Sequence, residues 1–421
     1  MATTLIASLV SRLLQIPERL HFTVTAYLLA LMLDGPKKTL SHAAMISGIH
    51  KSQFSRLLSD HADLAFLSLK ALAAEAGKLA GIGREPFFPG AKWSIAIIVD
   101  ATLHPRSSLH VRNVQRFNHG QGFVIGHQWT NIVIFVNGQL IPLPPIPFWS
   151  KNECKRRNVA YPTEHDRLAE YLEDLKLSQY VGLYSADEVV VLTDSGYDNK
   201  MLQRLIIDLG WDFIAALKTS RSTQTSHETN TTPKNWRRVS ALFRAVKKQA
   251  PWTTVRVETD QGKKRKSFRT RKLTGRIKGV HCDVAIVCSE KSTGKGRRYF
   301  ACSNTKVTVG VITRAYRIRW RIELFHRAAK SQLGMLDAGV SGFEALTAHI
   351  HWVYCAYILL QKVELPDAEA LLERQRSLQK MVEHEPLVAK VKQIVAARTQ
   401  FGGLPRQERL VRAVIQTGLA S

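Results

Sequence analysis

Apolar and polar positions alternate in three different ways along the chain, and each way predicts a different kind of structure. In residues 1–88 apolar side chains recur every three or four positions, which predicts helices. In residues 89–305 they form short continuous or alternating runs between glycine, proline and polar clusters, which predicts strands and a few helices. Helical spacing returns in residues 306–421. This order predicts an α/β fold, with a mixed sheet between helical N-terminal and C-terminal regions.

Two of the apolar runs end in an aspartate. The segments SIAIIVD, ending at Asp100, and VVVLTD, ending at Asp194, have the pattern of central strands that are buried on both faces. The carboxyl ends of such strands are where α/β proteins build their sites. Asp198 follows closely but stands at the start of a predicted helix, where an acid complements the helix dipole. Asp100 and Asp194 are therefore the candidate pair, since carboxylate oxygens are the ligands that Mg²⁺ prefers.

A third acid lies on a predicted helix among cationic and phenolic neighbours. The helix carries four spaced residues along one face, at intervals of three, four and seven: Tyr316, Arg319, Glu323 and Lys330. For Arg319 and Glu323 alone, an ordinary ion pair between successive turns is a serious alternative. Together with the two aspartates, Glu323 would complete a two-metal site for phosphodiester chemistry.

The charge of the chain indicates its partner. Sixty Lys and Arg against 34 Asp and Glu give a formal charge of +26, and nucleic acid is the commonest partner of so basic a protein. The segment Lys263–Lys278 holds nine basic residues and no acid. We expect it to follow a DNA backbone, although a solvated face is the ordinary alternative. The candidate contacts are its cations Lys263, Lys264, Arg265, Lys266, Arg269, Arg271 and Lys272.

Other features narrow the class of protein. Residues 39–58 predict two short helices joined at Gly48, as in a helix-turn-helix with Lys51 and Arg56 on the second helix, or in a plain helical hairpin. Five cysteines without a CxxC pair favour a reducing compartment over a zinc framework or disulfide scaffold. The longest apolar run is too short to span a bilayer, and the first twenty residues make a poor signal peptide. We therefore expect a cytoplasmic protein with no membrane partner.

With these residues the chain resembles bacterial insertion-sequence transposases that have an RNase H-like, DDE-type catalytic core and a Tyr-Arg-Glu-Lys signature. The signature is matched by Tyr316, Arg319, Glu323 and Lys330, and the two aspartates by Asp100 in IAIIVDAT and Asp194 in VVVLTDSGYD. The resemblance implies an RNase H-like core in residues 89–218 and 306–362, interrupted by a basic, β-rich insertion in residues 219–305. It also implies an N-terminal DNA-binding region, residues 1–88, and a helical C-terminal region, residues 363–421, as a candidate for dimerisation.

The activity that this resemblance implies is cut-and-paste transposition of DNA. Asp100, Asp194 and Glu323 would be catalytic and would hold two Mg²⁺ ions, which Mn²⁺ can replace. The other signature residues, Tyr316, Arg319 and Lys330, would bind DNA phosphates near the cut. The substrates would be double-stranded transposon ends and target DNA, bound by a homodimer in the nucleoid. The ends would be nicked, closed into hairpins, reopened and transferred.

Hairpin-forming transposases of this kind flip a base near the transposon end and stack it on aromatic side chains. Trp320 matches a tryptophan of the family and is the base-stacking candidate beside the signature. In the insertion the stacking residue stays open among four aromatic side chains, each of which could equally belong to the core: Trp252, Phe268, Tyr299 and Phe300.

Two other classes of protein remain as alternatives. A non-catalytic regulator built on the helix-turn-helix segment would explain the charge, but not the strand-end acids or the signature helix. Another RNase H-like nuclease would share the three acids, but would need neither the basic insertion nor the Tyr, Arg and Lys partners.

Overall fold

A computed structural model gives the fold of the chain for residues 10–11, 16–35, 37–107, 111–120, 122–225, 236–245, 251–258, 265–293, 296–362 and 371–384. Thirteen strands of these residues form one mixed sheet, and helices precede and follow it in the chain. The predicted α/β class, with helical N-terminal and C-terminal regions, is confirmed. Most of the region predicted to dimerise lies outside the described residues, and so do Lys263 and Lys264.

The helices have the following bounds: α1 Glu18–Met32, α2 Leu40–Ser47, α3 Lys51–Ser59, α4 Ala62–Gly81, α5 Lys151–Arg157, α6 Glu164–Asp174, α7 Ser178–Val181, α8 Lys200–Asp208, α9 Val239–Ala245, α10 Val309–Ile318, α11 Trp320–Ser331, α12 Phe343–Lys362 and α13 Leu371–His384. The strands are β1 Ile95–Pro105, β2 Gln115–His119, β3 Gly122–Val136, β4 Gln139–Pro142, β5 Ile146–Pro147, β6 Val189–Thr193, β7 Asp212–Leu217, β8 Ser222–Thr225, β9 Arg237–Arg238, β10 Thr253–Glu258, β11 Arg265–Ile277, β12 Val284–Lys291 and β13 Arg298–Cys302.

The first half of the sheet has the topology of an RNase H-like core. Its strand order is β2-β3-β1-β6-β7, in which β1 pairs antiparallel with β3 and parallel with β6, and β6 pairs parallel with β7. The order then continues as β13-β12-β11-β8-β9, beginning with an antiparallel pairing of β13 on β7. The strands of the predicted insertion therefore extend the core sheet and do not form a sheet of their own.

Strand β1 is longer than the sequence predicts. Its parallel pairing with β6 ends at the pair Val99 and Thr193, but its antiparallel pairing with β3 continues to Pro105. The prediction that Asp100 ends the strand was therefore wrong. Asp100 follows the last parallel pair, where β6 turns away and uncovers one edge of β1.

Helix α12 is the platform on which the N-terminal helices pack. Most of its side chains are buried, and it contacts α1, α3 and α4. The hydroxyl of Tyr27 on α1 bonds to Nδ1 of His349 on α12 at 2.7 Å, and Nε2 of the same ring donates to the carbonyl of Gly334 at 2.9 Å. One buried imidazole thus joins the N-terminal region, α12 and the loop that follows α11.

The two short helices of residues 39–58 form as predicted. Gly48 ends α2 with a φ of +69°, a left-handed conformation that favours glycine. Phe54 of α3 is buried with its ring 5.6 Å from that of Tyr27, whereas Lys51 and Arg56 are exposed. Both cations remain accessible to a partner, and DNA binding by this segment stays a prediction.

All five cysteines are free, in agreement with the absence of a predicted disulfide scaffold. Among the described helices, none combines the length and the apolar character that crossing a bilayer requires.

Acid should destabilise the fold through the buried histidines of α12. Burial lowers the pKa of His349 from 6.5 to about 4 and that of His351 to about 3. Below pH 6.5 the unfolded chain therefore binds more protons than the folded one, and each histidine costs up to about 1.4 kcal/mol per pH unit. Urea unfolding at pH 7.5 and 5.5 should show this loss, and His351→Leu should reduce it. An equal pH dependence in His351→Leu and in the exposed control His281→Gln would contradict this account.

Candidate functional site

Two aspartates occupy neighbouring positions at the exposed edge of the parallel strands. Since Val99 pairs with Thr193, the next residues along the two strands are Asp100 and Asp194. Asp194 caps the short turn after β6, where its Oδ1 accepts a hydrogen bond of 2.8 Å from the Gly196 N–H. The register of β1 on β6 therefore sets Asp100 and Asp194 at neighbouring positions, where each carboxylate acts on the other's surroundings.

The third acid and its cationic neighbour lie at a junction between two helices. The sequence predicts one helix through Tyr316–Lys330, but α10 ends at Ile318 and α11 begins at Trp320, with Arg319 between them. From this junction Nη2 of Arg319 contacts Oε1 of Glu323 at 2.6 Å, and Nη1 lies 4.0 Å from Oδ2 of Asp100. The single-helix prediction was wrong here, yet Arg319 and Glu323 meet as their spacing predicts.

The electrostatics of Asp100 show that the acids act on one another. Burial raises its pKa from 3.8 to about 7, Arg319 opposes that rise, and Asp194 and Glu323 add to it. Carboxylates that interact in this way resist simultaneous ionisation unless a cation compensates their charges. The site therefore favours a positive ion among its carboxylates.

The donor set fits a hard divalent cation. Within the described residues, no three His, Cys, Asp or Glu side chains stand close enough together to hold a metal ion in the present conformation. Arg319 is the cation that contacts two of the three acids here. Asp100, Asp194 and Glu323 supply only carboxylate oxygens, which suit Mg²⁺ or Mn²⁺, and they are the residues that would hold such ions.

The remaining signature residues surround the same acids. Burial lowers the pKa of Lys330, and the Asp100 carboxylate acts in the opposite direction. The Tyr316 ring lies 5.8 Å from the guanidinium of Arg319 and 4.3 Å from the ring of Phe300. Trp320 is 39% exposed at the start of α11. A phenol and two cations thus lie around the acids, and the accessible indole of Trp320 follows directly after Arg319 in the chain.

Sequence reasoning missed a histidine at this site. His326 lies one turn after Glu323 on α11, and its Nδ1 is 3.8 Å from Oδ2 of Asp100. Burial, followed by the charges of Lys330 and Arg319, lowers the pKa of His326 to about 3. The spacing Glu323-x-x-His326 was visible in the sequence, but nothing there showed that the imidazole faces Asp100 and not the core.

A second missed group fixes the loop that carries Asp194. Glu164, at the start of α6, accepts hydrogen bonds from Tyr197 at 2.7 Å and from Thr130 at 2.6 Å. The neighbouring His165 ring bonds to the Gly196 carbonyl at 3.0 Å. The loop is therefore held from α6, a part of the chain to which the sequence assigned no functional role.

Asp198 has a structural role different from the predicted one. Its buried carboxylate lies 3.3 Å from Nε of Arg221 and accepts the Lys218 N–H at 3.1 Å, while Asn199 caps helix α8. The choice of Asp194 over Asp198 agrees with this arrangement, because Asp198 is already occupied by the chain that follows β7.

The basic strand β11 places its cations on two different faces. Arg269 and Arg271 lie over the ring of Trp252 at 4.9 and 4.2 Å. Lys266 is exposed and, six residues before Lys272, shares the face of that lysine. Lys272 points to the other face, where its Nζ donates to the carbonyls of Thr305 and Val307 at 2.6 Å. Of the predicted DNA contacts, Lys272 thus serves a structural bond. Lys263, Lys264 and the side chain of Arg265 lie outside the described residues.

The four aromatic candidates of the insertion differ in exposure. Tyr299 and Phe300 are each only 5% exposed and pack on Phe243 and Tyr316, respectively. Trp252 and Phe268 are half-buried. Of the four, these two are the more exposed and remain the candidates for stacking a base.

A basic cavity lies between β10 and the start of α10. It encloses about 560 Å³, and its lining includes Arg256, Arg314 and three threonines but no acid. Arg256 is exposed, and Arg314 is half-buried over the ring of Phe88 at 5.5 Å. Neither arginine stands out in the sequence, because Arg256 is an isolated cation and Arg314 lies outside the spacing of the Tyr-Arg-Glu-Lys signature.

The comparison with known families agrees with this geometry. Residues 158–359 match the family model of the transposase DDE domain. The match supports a DDE transposase. It includes the strand that leads to Asp194 and the helix that carries Glu323, whereas Asp100 lies before it. No curated protein matches the chain. Transposases with this domain are enzymes that cleave DNA and transfer its strands.

Substitutions of the two aspartates after β6 should have different effects, one on activity and the other on stability. Asp194→Asn keeps the turn-capping oxygen, so its free energy of unfolding should change by less than about 1 kcal/mol while DNA cleavage is lost. Asp198→Asn leaves Arg221 without its buried partner and should cost on the order of 3 kcal/mol. Urea unfolding and a cleavage assay on both variants test this. A stable Asp198→Asn without activity would reverse the two assignments.

Proposed function

We propose that this protein is a cut-and-paste transposase that cleaves transposon ends, closes them into hairpins and transfers them to target DNA. The observation that carries the proposal is the convergence of Asp100, Asp194 and Glu323 with Arg319 and Lys330 around one edge of the sheet. The net charge of +26 and the match to the transposase DDE domain support it.

The chemistry of each proposed step is phosphoryl transfer. Two divalent ions held by the three acids would activate the attacking oxygen and stabilise the leaving oxygen. The chain itself has to position the DNA phosphate in line with the attacking group. Arg319 presents a planar guanidinium that suits two oxygens of one phosphate, and Lys330 adds a point charge on the same side of the acids.

The basic features of the second half of the sheet suggest a path for the DNA away from the site. Helix α10 rises about 1.5 Å per residue, so the cavity at Val309 lies roughly 15 Å from Arg319. At about 3.4 Å per nucleotide, this distance corresponds to roughly four nucleotides. We propose that Arg256 and Arg314 bind a phosphate there, and that Trp252 with Arg269 and Arg271 contacts the duplex further along. Two protomers would hold the two ends in a homodimer.

The test uses end-labelled duplex DNA that terminates in the inverted repeat bordering the coding sequence, incubated with Mg²⁺ or Mn²⁺. Denaturing gels should show a nick followed by a hairpin with the wild-type protein. Asp100→Asn and Glu323→Gln should show neither product, because both variants remove a ligand charge. The control Asp187→Asn changes an exposed acid paired with Lys92 and should cleave normally. Cleavage at wild-type rate by Glu323→Gln, or of any DNA regardless of sequence, would contradict the proposal.

The same gels test the phosphate-binding residues. Arg319→Ala and Lys330→Ala should accumulate nicked DNA with little hairpin, because the hairpin step bends the terminal phosphate and needs the more exact positioning. Arg327→Ala, which changes an exposed cation on the same helix, is the control. Equal losses of nicking and hairpin formation would identify Arg319 as a purely structural partner of Glu323.

The two faces of β11 should respond differently to neutralisation. Replacing Arg269 and Arg271 by Gln should weaken binding to the end duplex and reduce the slope of log K against log salt by about 0.9 per lost contact. Lys272→Gln should leave the slope unchanged and lower stability, because its ammonium bonds to two carbonyls. Binding titrations at several salt concentrations and urea unfolding decide this. A flatter slope in Lys272→Gln alone would reverse the assignment of the faces.

A further inference from the structure

Asp100 has a direct neighbour across the sheet that connects it to the core. In the antiparallel pairing of β1 with β3, Asp100 stands opposite Asn131, so both side chains point to the same face. Helix α11 packs on β1 at this face, and α12 packs on α11. Asn131 is fully buried between them.

A chain of hydrogen bonds passes through Asn131. The hydroxyl of Tyr354 on α12 donates to Oδ1 of Asn131. The amide nitrogen Nδ2 of Asn131 is 2.9 Å from Nε2 of His326 on α11. An amide nitrogen is only a donor, so Nε2 of His326 is the acceptor of this bond.

This direction fixes the tautomer of the imidazole. A ring whose Nε2 accepts a hydrogen bond and which is neutral carries its proton on Nδ1. Nδ1 is the atom that faces Asp100, at 3.8 Å from Oδ2. The separation exceeds a hydrogen bond, and a shift of less than about 1 Å would close it. Such contacts are often loose in a site without its substrate and tighten on binding.

We propose that His326 is a positioning residue for Asp100, and that Tyr354 and Asn131 hold its imidazole in the Nδ1–H tautomer. The Nδ1–H binds Oδ2 of Asp100 from the side of α11 and leaves the other carboxylate oxygen to a divalent cation. Arg319 approaches the same carboxylate from the junction of α10 and α11. This inference rests on the proposed function for its purpose, but not for the tautomer itself.

The geometry also separates this role from that of a metal ligand. A histidine binds a metal through an unprotonated ring nitrogen. In His326 the unprotonated Nε2 is occupied by Asn131, and the nitrogen that faces the acids carries the proton. Fixing a ligating carboxylate through such a partner commonly changes metal affinity by about 10–100-fold.

The tautomer can be measured without any activity. In the full-length protein labelled with ¹⁵N-histidine, the signal that disappears in His326→Asn should show a protonated Nδ1 and an unprotonated Nε2. Tyr354→Phe should shift this signal toward a mixture of tautomers, because Asn131 loses the donor that orients its amide. Tyr357→Phe is the matched control, since both phenol rings pack on Phe325 with centroids 4.8 Å apart. A wild-type signal with the proton on Nε2 would overturn the inference.

The positioning role is tested with three variants of the same residue. Asn at position 326 keeps a donor near the place of Nδ1, whereas Gln reaches the place of Nε2 and Ala provides neither. Mn²⁺ titration followed by water-proton relaxation should therefore give dissociation constants about 10–100-fold weaker for His326→Gln and His326→Ala, with most of the affinity recovered in His326→Asn. Equal weakening in His326→Asn and His326→Gln would overturn the positioning role.

End cleavage then distinguishes the two proposals. The three variants should lower kcat in the order of their Mn²⁺ affinity, with unchanged binding of end DNA. Where His326→Ala fails to fold, Tyr354→Phe against Tyr357→Phe gives the same comparison. A wild-type protein that shows the Nδ1–H tautomer and the variant order for Mn²⁺, yet cuts no end DNA, would overturn the proposed function alone. Cleavage that is indifferent to all three substitutions would overturn this inference alone.

Discussion

The pairing of β1 with β6 is the constraint on which the candidate site depends. This register ends with Val99 and Thr193, and it thereby forces two carboxylates to occupy adjacent positions where the strands separate. Adjacent acids repel, and burial raises the pKa of Asp100 to about 7. The apolar side chains of the parallel strands before Asp100 and Asp194 are buried and stabilise the fold against this cost. In addition, Arg319 brings a positive charge to Asp100 and Glu323. The same repulsion is what a divalent cation would relieve.

Helix α12 determines how rigidly this arrangement is held. It supplies Tyr354 to the hydrogen bonds behind Asp100, and one turn earlier it supplies His349, which joins the N-terminal helix α1 to the loop after α11. The N-terminal helices and the hydrogen bonds behind Asp100 are thus attached to neighbouring turns of one buried helix. In consequence, the packing of these helices on α12 would determine the distance between a duplex bound by α3 and the acids.

The sequence predicted those structural features that depend on one short segment of the chain. The apolar runs before Asp100 and Asp194 predict buried strands, and the intervals between Tyr316, Arg319, Glu323 and Lys330 predict their convergence. Contacts between distant segments left no such signal. Nothing local to His326 indicates that it meets Asn131, 195 residues away, and nothing in KKRKSFRTRK shows that Lys272 bonds to the carbonyls of Thr305 and Val307. The break at Arg319 was missed because both sides of it are good helix formers.

The continuity of the sheet has a consequence for the second half of the fold. Strand β13 pairs with β7 of the core, and Lys272 on β11 bonds to the two carbonyls that lead into α10. Helix α10 in turn ends at Ile318, directly before Arg319. The basic surface of β11, the cavity at the start of α10 and the acids are therefore joined by main-chain pairing and one short helix. A phosphate backbone that follows the arginines would be presented to Asp100 in a fixed register, which is what in-line phosphoryl transfer requires.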